Sequence, residues 1–248
     1  MDWNEYNDFQ KYIEKFTEGR WGTGYGEKFA AWAGVNDKIA NFKEALDVGC
    51  GNGYHLETFS KAFPYMQFTG VDLSTEAIRN AKRKNLKNVD FHVMNGESMP
   101  KDWTNKFDWV MMFDCAHDQP RPDLTIKEIH RTLKVGGVFT MVDIDGTSNI
   151  YLDKMKGEAL LSYMLSMFIC LPCASNAPSM IIFSLFENCS LCHFKQCILT
   201  KVLDLDSYCL GSRWGRKRAL ELLNECNFKD VTVVDIPVQS QVLYVCRK

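Results

Sequence analysis

The stretch Glu44-Ala45-Leu46-Asp47-Val48-Gly49-Cys50-Gly51-Asn52-Gly53 decides the fold of this chain. A short apolar run that ends in an acidic residue and three alternating glycines predicts a buried strand followed by a ligand-binding turn. The glycines allow positive φ angles and leave no Cβ between the backbone and a bound molecule. The dinucleotide fingerprint G-x-G-x-x-G is not met, because the third glycine comes one residue early. The stretch therefore predicts a cofactor loop of another kind.

Four further apolar runs follow this loop and are predicted to be strands. They lie at residues 68–72, 89–97, 106–114 and 134–143. Helical patterns separate them at residues 54–63, 74–84 and 122–133. Strands that alternate with helices in this way predict a parallel sheet. Two final strands, predicted at residues 231–236 and 241–245 with Pro237 between them, are close enough in sequence to form a hairpin.

Asp72 ends the second run about 20 residues after the glycine loop, where folds of this kind place the acid that binds both ribose hydroxyls. We therefore predict that Asp72 binds a ribose. A carboxylate at this position repels a 2′-phosphate, which disfavours NADP as the ligand.

The pattern D-x-G-x-G-x-G at residues 47–53, with these strand ends in order, resembles the class I, Rossmann-like S-adenosylmethionine-dependent methyltransferases. The match covers residues 44–145 and resumes at Leu210. The resemblance implies an α/β fold with a Rossmann-like, seven-stranded, mostly parallel sheet, an antiparallel last strand and three α/β/α layers. It implies S-adenosyl-L-methionine as the cofactor. The residues that it assigns to the cofactor are Asp47, Gly49, Cys50, Gly51, Asp72, Leu73, Asn95, Gly96, Glu97, Phe113 and Asp114.

A narrower resemblance concerns the loop at residues 115–120, Cys-Ala-His-Asp-Gln-Pro, with Leu210-Gly211 and Trp214-Gly215 downstream. These residues resemble a group of small-molecule methyltransferases in which a winged-helix-like N-terminal domain helps to form a dimer and to enclose the substrate. Here residues 1–43 are predicted to be only a helical segment, with helices at 5–17 and 26–41. The methyltransferase domain is predicted over residues 44–248, and a homodimer stays an open prediction.

Methyl transfer requires few catalytic groups from the protein. An in-line displacement on a sulfonium needs alignment and the exclusion of water, and a base is optional. His117 is the predicted catalytic residue, because an imidazole can deprotonate a hydroxyl near neutral pH, with Asp118 or Asp114 to orient the ring. The usual histidine pKa predicts an acidic limb of activity near about pH 6 to 7. The alternative is that His117 only caps the following helix or binds the backbone.

The length, composition and net charge of the chain indicate which classes of partner it can bind. The 248 residues are 46% hydrophobic, which is enough for one α/β domain with an elaboration. A net charge of −2 with scattered basic residues disfavours nucleic acid, so a small molecule is the predicted substrate. The first residues are polar and show no secretory signal. Cys50, Cys115 and Cys246 occupy positions typical of reduced thiols, and a cytoplasmic location is predicted.

Residues 147–209 are predicted to form an apolar lid or insertion. Residues 159–186 contain no charged side chain, but prolines and polar residues interrupt them, so no membrane span is predicted. Residues 160–169 fit a helical lid whose methionines provide an adaptable wall for a partly apolar substrate. Residues 181–209 have no counterpart in the family and are interpreted as an insertion.

A competing interpretation of this segment is a zinc site. Cys170 and Cys173 form one C-x-x-C pair, Cys189 and Cys192 form another, and 15 residues separate the pairs, which matches four-thiolate zinc spacing. Against zinc, Pro172 lies inside the first pair, and the glycines usual around such ligands are missing. We predict free cysteines and no metal, with the four-cysteine site as the alternative.

Two functions compete. The leading prediction is a methyltransferase that uses S-adenosylmethionine to methylate a small molecule on oxygen or nitrogen. The exocyclic-amine signature, Asn/Asp-Pro-Pro-aromatic, is missing, which disfavours adenine- or glutamine-type acceptors. The alternative is a non-catalytic binding module with a degenerate substrate site. Asp47, Gly49, Gly51 and Asp72 are intact, which favours catalysis.

Overall fold

The computed structural model describes residues 9–153, 155, 159–174, 207–208 and 210–248. Seven strands form one sheet in the spatial order β3-β2-β1-β4-β5-β7-β6. The first five strands pair in parallel, and β7 pairs antiparallel with both β5 and β6. The strands are β1 (Glu44–Val48), β2 (Gln67–Asp72), β3 (Val89–Val93), β4 (Phe107–Phe113), β5 (Leu133–Ile144), β6 (Asp230–Asp235) and β7 (Gln241–Arg247). The predicted fold class and the hairpin of the last two strands are confirmed.

Helices precede the sheet and cover it. They are α1 (Phe9–Trp21), α2 (Gly26–Trp32), α3 (Asn36–Ile39), α4 (Tyr54–Ala62), α5 (Thr75–Arg83), α6 (Pro122–Thr132), α7 (Ile150–Asp153), α8 (Ala159–Phe168), α9 (Cys170–Ala174) and α10 (Arg216–Glu225). The helix predicted over residues 26–41 is wrong as a single element. It divides into α2 and α3 because Gly34 adopts a φ of 63° and interrupts the helical backbone. The first helix ends at Trp21, four residues later than predicted, and residues 5–8 of the prediction lie outside the described residues.

Strand β4 contributes side chains to two hydrophobic cores, one on each face of the sheet. Trp109, Met111 and Phe113 belong to the cluster on one face, whereas Val110 and Met112 belong to the cluster on the other. Successive side chains of a strand point to opposite faces, and a parallel sheet is covered on both, so its central strands are mostly apolar. The same constraint leaves polar residues at the strand ends. The carboxyl ends of β1, β2, β3 and β4 therefore meet along one edge with their polar side chains together.

The predicted lid contains helices α7, α8 and α9 in its described part. Much of α8 is exposed although it is apolar; Leu160, Leu161, Met164 and Phe168 are 50–68% exposed. Within the described ranges, the structure contains no helix that is both long and apolar enough to cross a membrane. Cys189, Cys192 and most of the predicted insertion lie outside the described residues. Cys170 and Cys173 are both buried in α9.

Candidate cofactor and substrate site

The glycine loop leaves β1 and turns sharply at its three glycines. Gly49, Gly51 and Gly53 have φ angles of 77°, 52° and 73°, which L-residues with a side chain rarely adopt. The backbone N–H groups of Gly49 and Cys50 donate to the carbonyl of Val71 at 2.8 and 3.1 Å. The loop is therefore attached to β2, and α4 starts directly after it.

Asp72 holds the loop from the end of β2. One carboxylate oxygen accepts the N–H of Gly51 at 2.9 Å, and the other accepts the N–H of Ser74 at 2.8 Å. Burial raises the pKa of Asp72, and these two backbone hydrogen bonds oppose the rise. Because a carboxylate has about four lone-pair sites, both oxygens keep the capacity to accept from a ligand's hydroxyl groups.

Asp47 is the most unusual polar residue of the site. Its side chain is 1% exposed, and neither carboxylate oxygen has a hydrogen-bond partner in the described part of the chain. Burial and the nearby Asp72 carboxylate raise the pKa of Asp47 to about 8. An unpaired buried carboxyl is costly, and such groups mark places where a bound molecule supplies the missing partner.

The turn after β3 lies at the same edge of the sheet. The Asn95 side-chain oxygen accepts the N–H of Glu97 at 2.9 Å, which fixes the turn. A Cβ on Gly96 would come within 3.0 Å of side-chain carbons of Val48 and Thr125, so this glycine packs against its neighbours. Leu73, after β2, is 56% exposed at this edge. The structure thus brings the predicted cofactor residues of four strands together.

Helix α1 contributes contacts that no local sequence pattern indicated. Arg20 donates to one carboxylate oxygen of Asp114 at 3.0 Å, and Gln241 donates to the other at 2.9 Å. Asp114 has a φ of 46°, so the end of β4 is held in a left-handed turn by these two partners. Asn52 of the glycine loop donates to Glu14 at 2.9 Å. The N-terminal segment therefore contacts both the glycine loop and the end of β4.

His55 was also missed by sequence reasoning. Its ring stacks on Phe113 with a centroid separation of 3.9 Å and an interplanar angle of 7°. Its Nδ1 pairs with the hydroxyl group of Tyr25. Burial, with a smaller contribution from the Arg20 charge, lowers the pKa of His55 to about 3, so the imidazole is neutral. It forms an aromatic support beneath the end of β4.

His117 lies in a 3-10 turn, residues 116–118, after β4, and is 2% exposed. Its Nδ1 is 2.6 Å from Asp143 at the end of β5, and its Nε2 is 3.3 Å from Asp118. Asp118, one of the two predicted orienting acids, therefore contacts the ring, but the closer partner is Asp143, which the sequence did not indicate as a partner. Nδ1–H donates to Asp143, an acid that ends the fifth predicted strand, and Asp118 faces the opposite nitrogen.

The charges around His117 change its titration. Burial lowers the pKa of the imidazole, but the Asp118 and Asp143 carboxylates outweigh burial, so the pKa lies well above its usual value. Cys170 of α9 completes the group. One donor atom each from His117, Asp118 and Cys170 lie within 4.8 Å of one another, and all three residues are in buried surroundings. The sequence interpretation paired Cys170 with Cys173 and did not connect it to His117.

Comparisons with known proteins agree with this geometry. A model of the family described as "Methyltransferase domain" matches residues 41–203. A fatty-acid O-methyltransferase of Mycolicibacterium smegmatis is 31% identical over 102 residues, 41% of this chain and 37% of the relative. A ubiquinone biosynthesis O-methyltransferase of Pseudomonas aeruginosa is 26% identical over 126 residues, 50% of this chain and 53% of the relative. The chain thus spans about half or less of the length of these curated relatives.

Solved structures share the fold. Human N-acetylserotonin methyltransferase, crystallised in complex with SAM, has a TM-score of 0.60 at 15% identity, and the match covers 97% of this chain and 55% of that one. An O-methyltransferase family protein from Burkholderia thailandensis has a TM-score of 0.61 at 14% identity, with 97% and 58% covered. Because the family model matches about two thirds of the 248 residues, the chain belongs to the methyltransferase-domain family.

Proposed function

We propose that this protein is an S-adenosylmethionine-dependent methyltransferase that acts on a small-molecule acceptor. The observation that carries the proposal is the buried, unpartnered Asp47 behind a glycine loop whose open turn is held by Asp72. A ligand that combines a cationic part with a ribose satisfies both acids. S-adenosylmethionine is such a ligand, and when bound it supplies an electrophilic methyl group on a sulfonium.

The proposed cofactor residues fall into groups according to the part of S-adenosylmethionine that each would bind. Asp72 accepts from the ribose hydroxyls, and Asp47 balances the positive charge of the amino acid part. The turn at Asn95, Gly96 and Glu97 holds the adenine. The remaining assigned residues line the same edge of the sheet and exclude water from it; they are Gly49, Cys50, Gly51, Leu73, Phe113 and Asp114. Substitutions of Asp47, Asp72 and Gly49 test three of these proposed roles.

His117 is the proposed proton acceptor for the substrate hydroxyl. Asp143 accepts from Nδ1–H at 2.6 Å, so above the raised pKa of His117 the ring loses its proton from Nε2 and offers that lone pair to the substrate hydroxyl. The fatty-acid and ubiquinone-pathway names of the relatives, together with the apolar α8, support an O-methylated and partly apolar acceptor. The cytoplasmic location and the homodimer remain predictions; sedimentation velocity of the full chain tests the dimer.

The first test is calorimetric. At pH 7, Asp47 with a pKa of about 8 is mostly protonated before the ligand binds. A cationic ligand favours the ionised carboxylate, so binding of S-adenosylmethionine should release up to about one proton at pH 7. Titrations in two buffers of different ionisation enthalpy measure this release. Asp47→Asn should abolish it, whereas absence of any binding by the unmodified protein contradicts the proposed function.

Turnover is the second part of this test. A screen of fatty acids and phenols with a labelled methyl donor should find a methylated acceptor. Binding of the cofactor without turnover on any acceptor would instead favour the non-catalytic module.

Asp72→Ala should weaken S-adenosylmethionine binding by roughly 1.5–3 kcal/mol, the range for lost charge-assisted hydrogen bonds. Titration calorimetry measures the change. Asp90→Ala is the matched control, because Asp90 is an exposed acid on the neighbouring strand β3. Unchanged affinity in Asp72→Ala removes the ribose assignment. Melting temperatures of both variants show whether the Gly51 N–H, which loses its acceptor, also destabilises the fold.

A further inference from the structure

We propose that His117, Asp118 and Cys170 form a Zn²⁺ site, and that zinc bound there blocks methyl transfer. The group joins one imidazole, one carboxylate and one thiol from two separate elements, the turn after β4 and helix α9. This ligand set differs from the four-cysteine alternative, because Cys170 is its only cysteine.

The geometry suits a tetrahedral metal. Zinc binds histidine nitrogen and carboxylate oxygen at about 2.0–2.2 Å, so two such ligands at a tetrahedral angle lie about 3.3–3.6 Å apart. The Nε2 of His117 is 3.3 Å from Oδ1 of Asp118. That oxygen is buried, and Asp118 interacts there with the other two members of the group, the His117 ring and the Cys170 thiol, so a metal would replace these contacts. The thiol of Cys170 lies within 4.8 Å of a ring nitrogen of His117 and a carboxylate oxygen of Asp118, close enough to complete a three-ligand site.

Asp143 supplies the support that a histidine ligand needs. Histidines that bind metals usually donate the other ring N–H to a carboxylate, which fixes the ring and raises its basicity. The 2.6 Å contact between Nδ1 of His117 and Asp143 has this arrangement. A nitrogen, oxygen and sulfur donor set selects zinc over Mg²⁺ or Ca²⁺, which prefer oxygen ligands only. Three protein ligands leave a fourth position for water or a substrate atom.

The inhibitory part rests on the proposed function, in which Nε2 of His117 accepts the substrate proton. A metal on Nε2 occupies the same lone pair, so zinc binding and proton transfer exclude each other. The binding part does not depend on catalysis. Zinc affinity and turnover are therefore measured separately, so that failure of one proposal can be told from failure of the other.

The experiment uses the full chain, freed of metal and kept reduced with a non-chelating phosphine. Zn²⁺ is titrated in competition with a chromophoric chelator. We expect one zinc per chain, at least about tenfold weaker binding in Cys170→Ser and Asp118→Asn, and about 10–100-fold weaker binding in Asp143→Asn. Cys173→Ser, in the same helix, is the matched control and should bind zinc like the unmodified protein.

Several results overturn the proposal. They are the absence of zinc binding, unchanged binding in both Cys170→Ser and Asp118→Asn, and equal losses in Cys170→Ser and Cys173→Ser, which would favour the four-cysteine site. Circular dichroism of each variant separates lost binding from lost folding, and two ligand variants keep the test decisive if one does not fold. In the turnover assay, zinc should inhibit the unmodified protein, and a chelator should reverse the inhibition; turnover unaffected by bound zinc contradicts the blocking role.

Discussion

His117→Ala should lower turnover by about 10²–10⁴ while the affinity for S-adenosylmethionine stays nearly unchanged. The side chain is buried at the end of the sheet, its Nδ1 is fixed by Asp143, and its Nε2 is the proposed proton acceptor. Removing it leaves alignment intact but removes the base. Single-turnover rates with saturating cofactor measure the loss, and calorimetry measures the affinity.

His130→Ala is the matched control for this substitution. His130 lies in α6, where its ring contacts Phe228 rather than any proposed site residue, so turnover should stay close to that of the unmodified protein. A loss below tenfold in His117→Ala would mean that alignment alone drives the reaction. That result would fit an acceptor that is already deprotonated when it binds, such as a carboxylate.

The pH profile follows from the same contacts. A base acts only when neutral, and the two carboxylates hold the pKa of His117 well above its usual value of about 6.5. Turnover should therefore fall as pH drops through a value above the range of about 6 to 7 expected from sequence. Asp143→Asn removes one of the two charges, so the limb should move to lower pH.

Gly49→Ala should destabilise the protein by roughly 2–5 kcal/mol and lose most cofactor binding. The residue has a φ of 77°, which costs about 1–2 kcal/mol for an L-residue with a side chain. Its new Cβ would also lie 2.3 Å from the Sγ of Cys115, and relief of such a clash costs about 1–3 kcal/mol more. Urea unfolding and calorimetric titration with S-adenosylmethionine measure the two effects.

Gly34→Ala separates these causes. Gly34 has a φ of 63°, similar to that of Gly49, but an added Cβ there meets no atom within 4 Å. It should cost only the backbone part, about 1–2 kcal/mol, and should leave cofactor affinity unchanged. Equal losses of stability and binding in both variants would show that the close contact between Gly49 and Cys115 does not matter for the site.

The succession of strands along the chain could be predicted, because each strand is a short apolar run that ends in polar residues, and both features are visible in neighbouring residues of the sequence. The same is true of Asp47, Asp72 and the glycine loop. Asp143 was also visible as an acid at a strand end. Its partner was not, because the contact joins the end of strand β5 to the turn that holds His117, 26 residues away, and depends on the direction that the turn takes.

Contacts between residues that are far apart in the chain could not be predicted from the sequence around either residue. Arg20 meets Asp114 across 94 residues, and it lies beyond the helix predicted over residues 5–17, where no sequence pattern marks it. The spacing of Cys170 from Cys173 is a local pattern, and it indicates a cysteine pair rather than a contact between Cys170 and His117. Pair contacts between distant elements are set by packing of the whole sheet, which periodicity alone does not describe.

The way α1 is attached has a consequence for kinetics. The last residue of the helix, Trp21, is buried in the core, whereas Tyr12 and Phe16 are exposed. Polar contacts such as the Arg20–Asp114 ion pair and the Glu14–Asn52 hydrogen bond connect the helix to the carboxyl edge of the sheet. Partly exposed ion pairs contribute at most about 1 kcal/mol each and weaken with salt. Salt should therefore weaken the polar contacts of this helix while Trp21 stays in the core, and we expect ionic strength to change how fast spent cofactor is exchanged more than how tightly it is held.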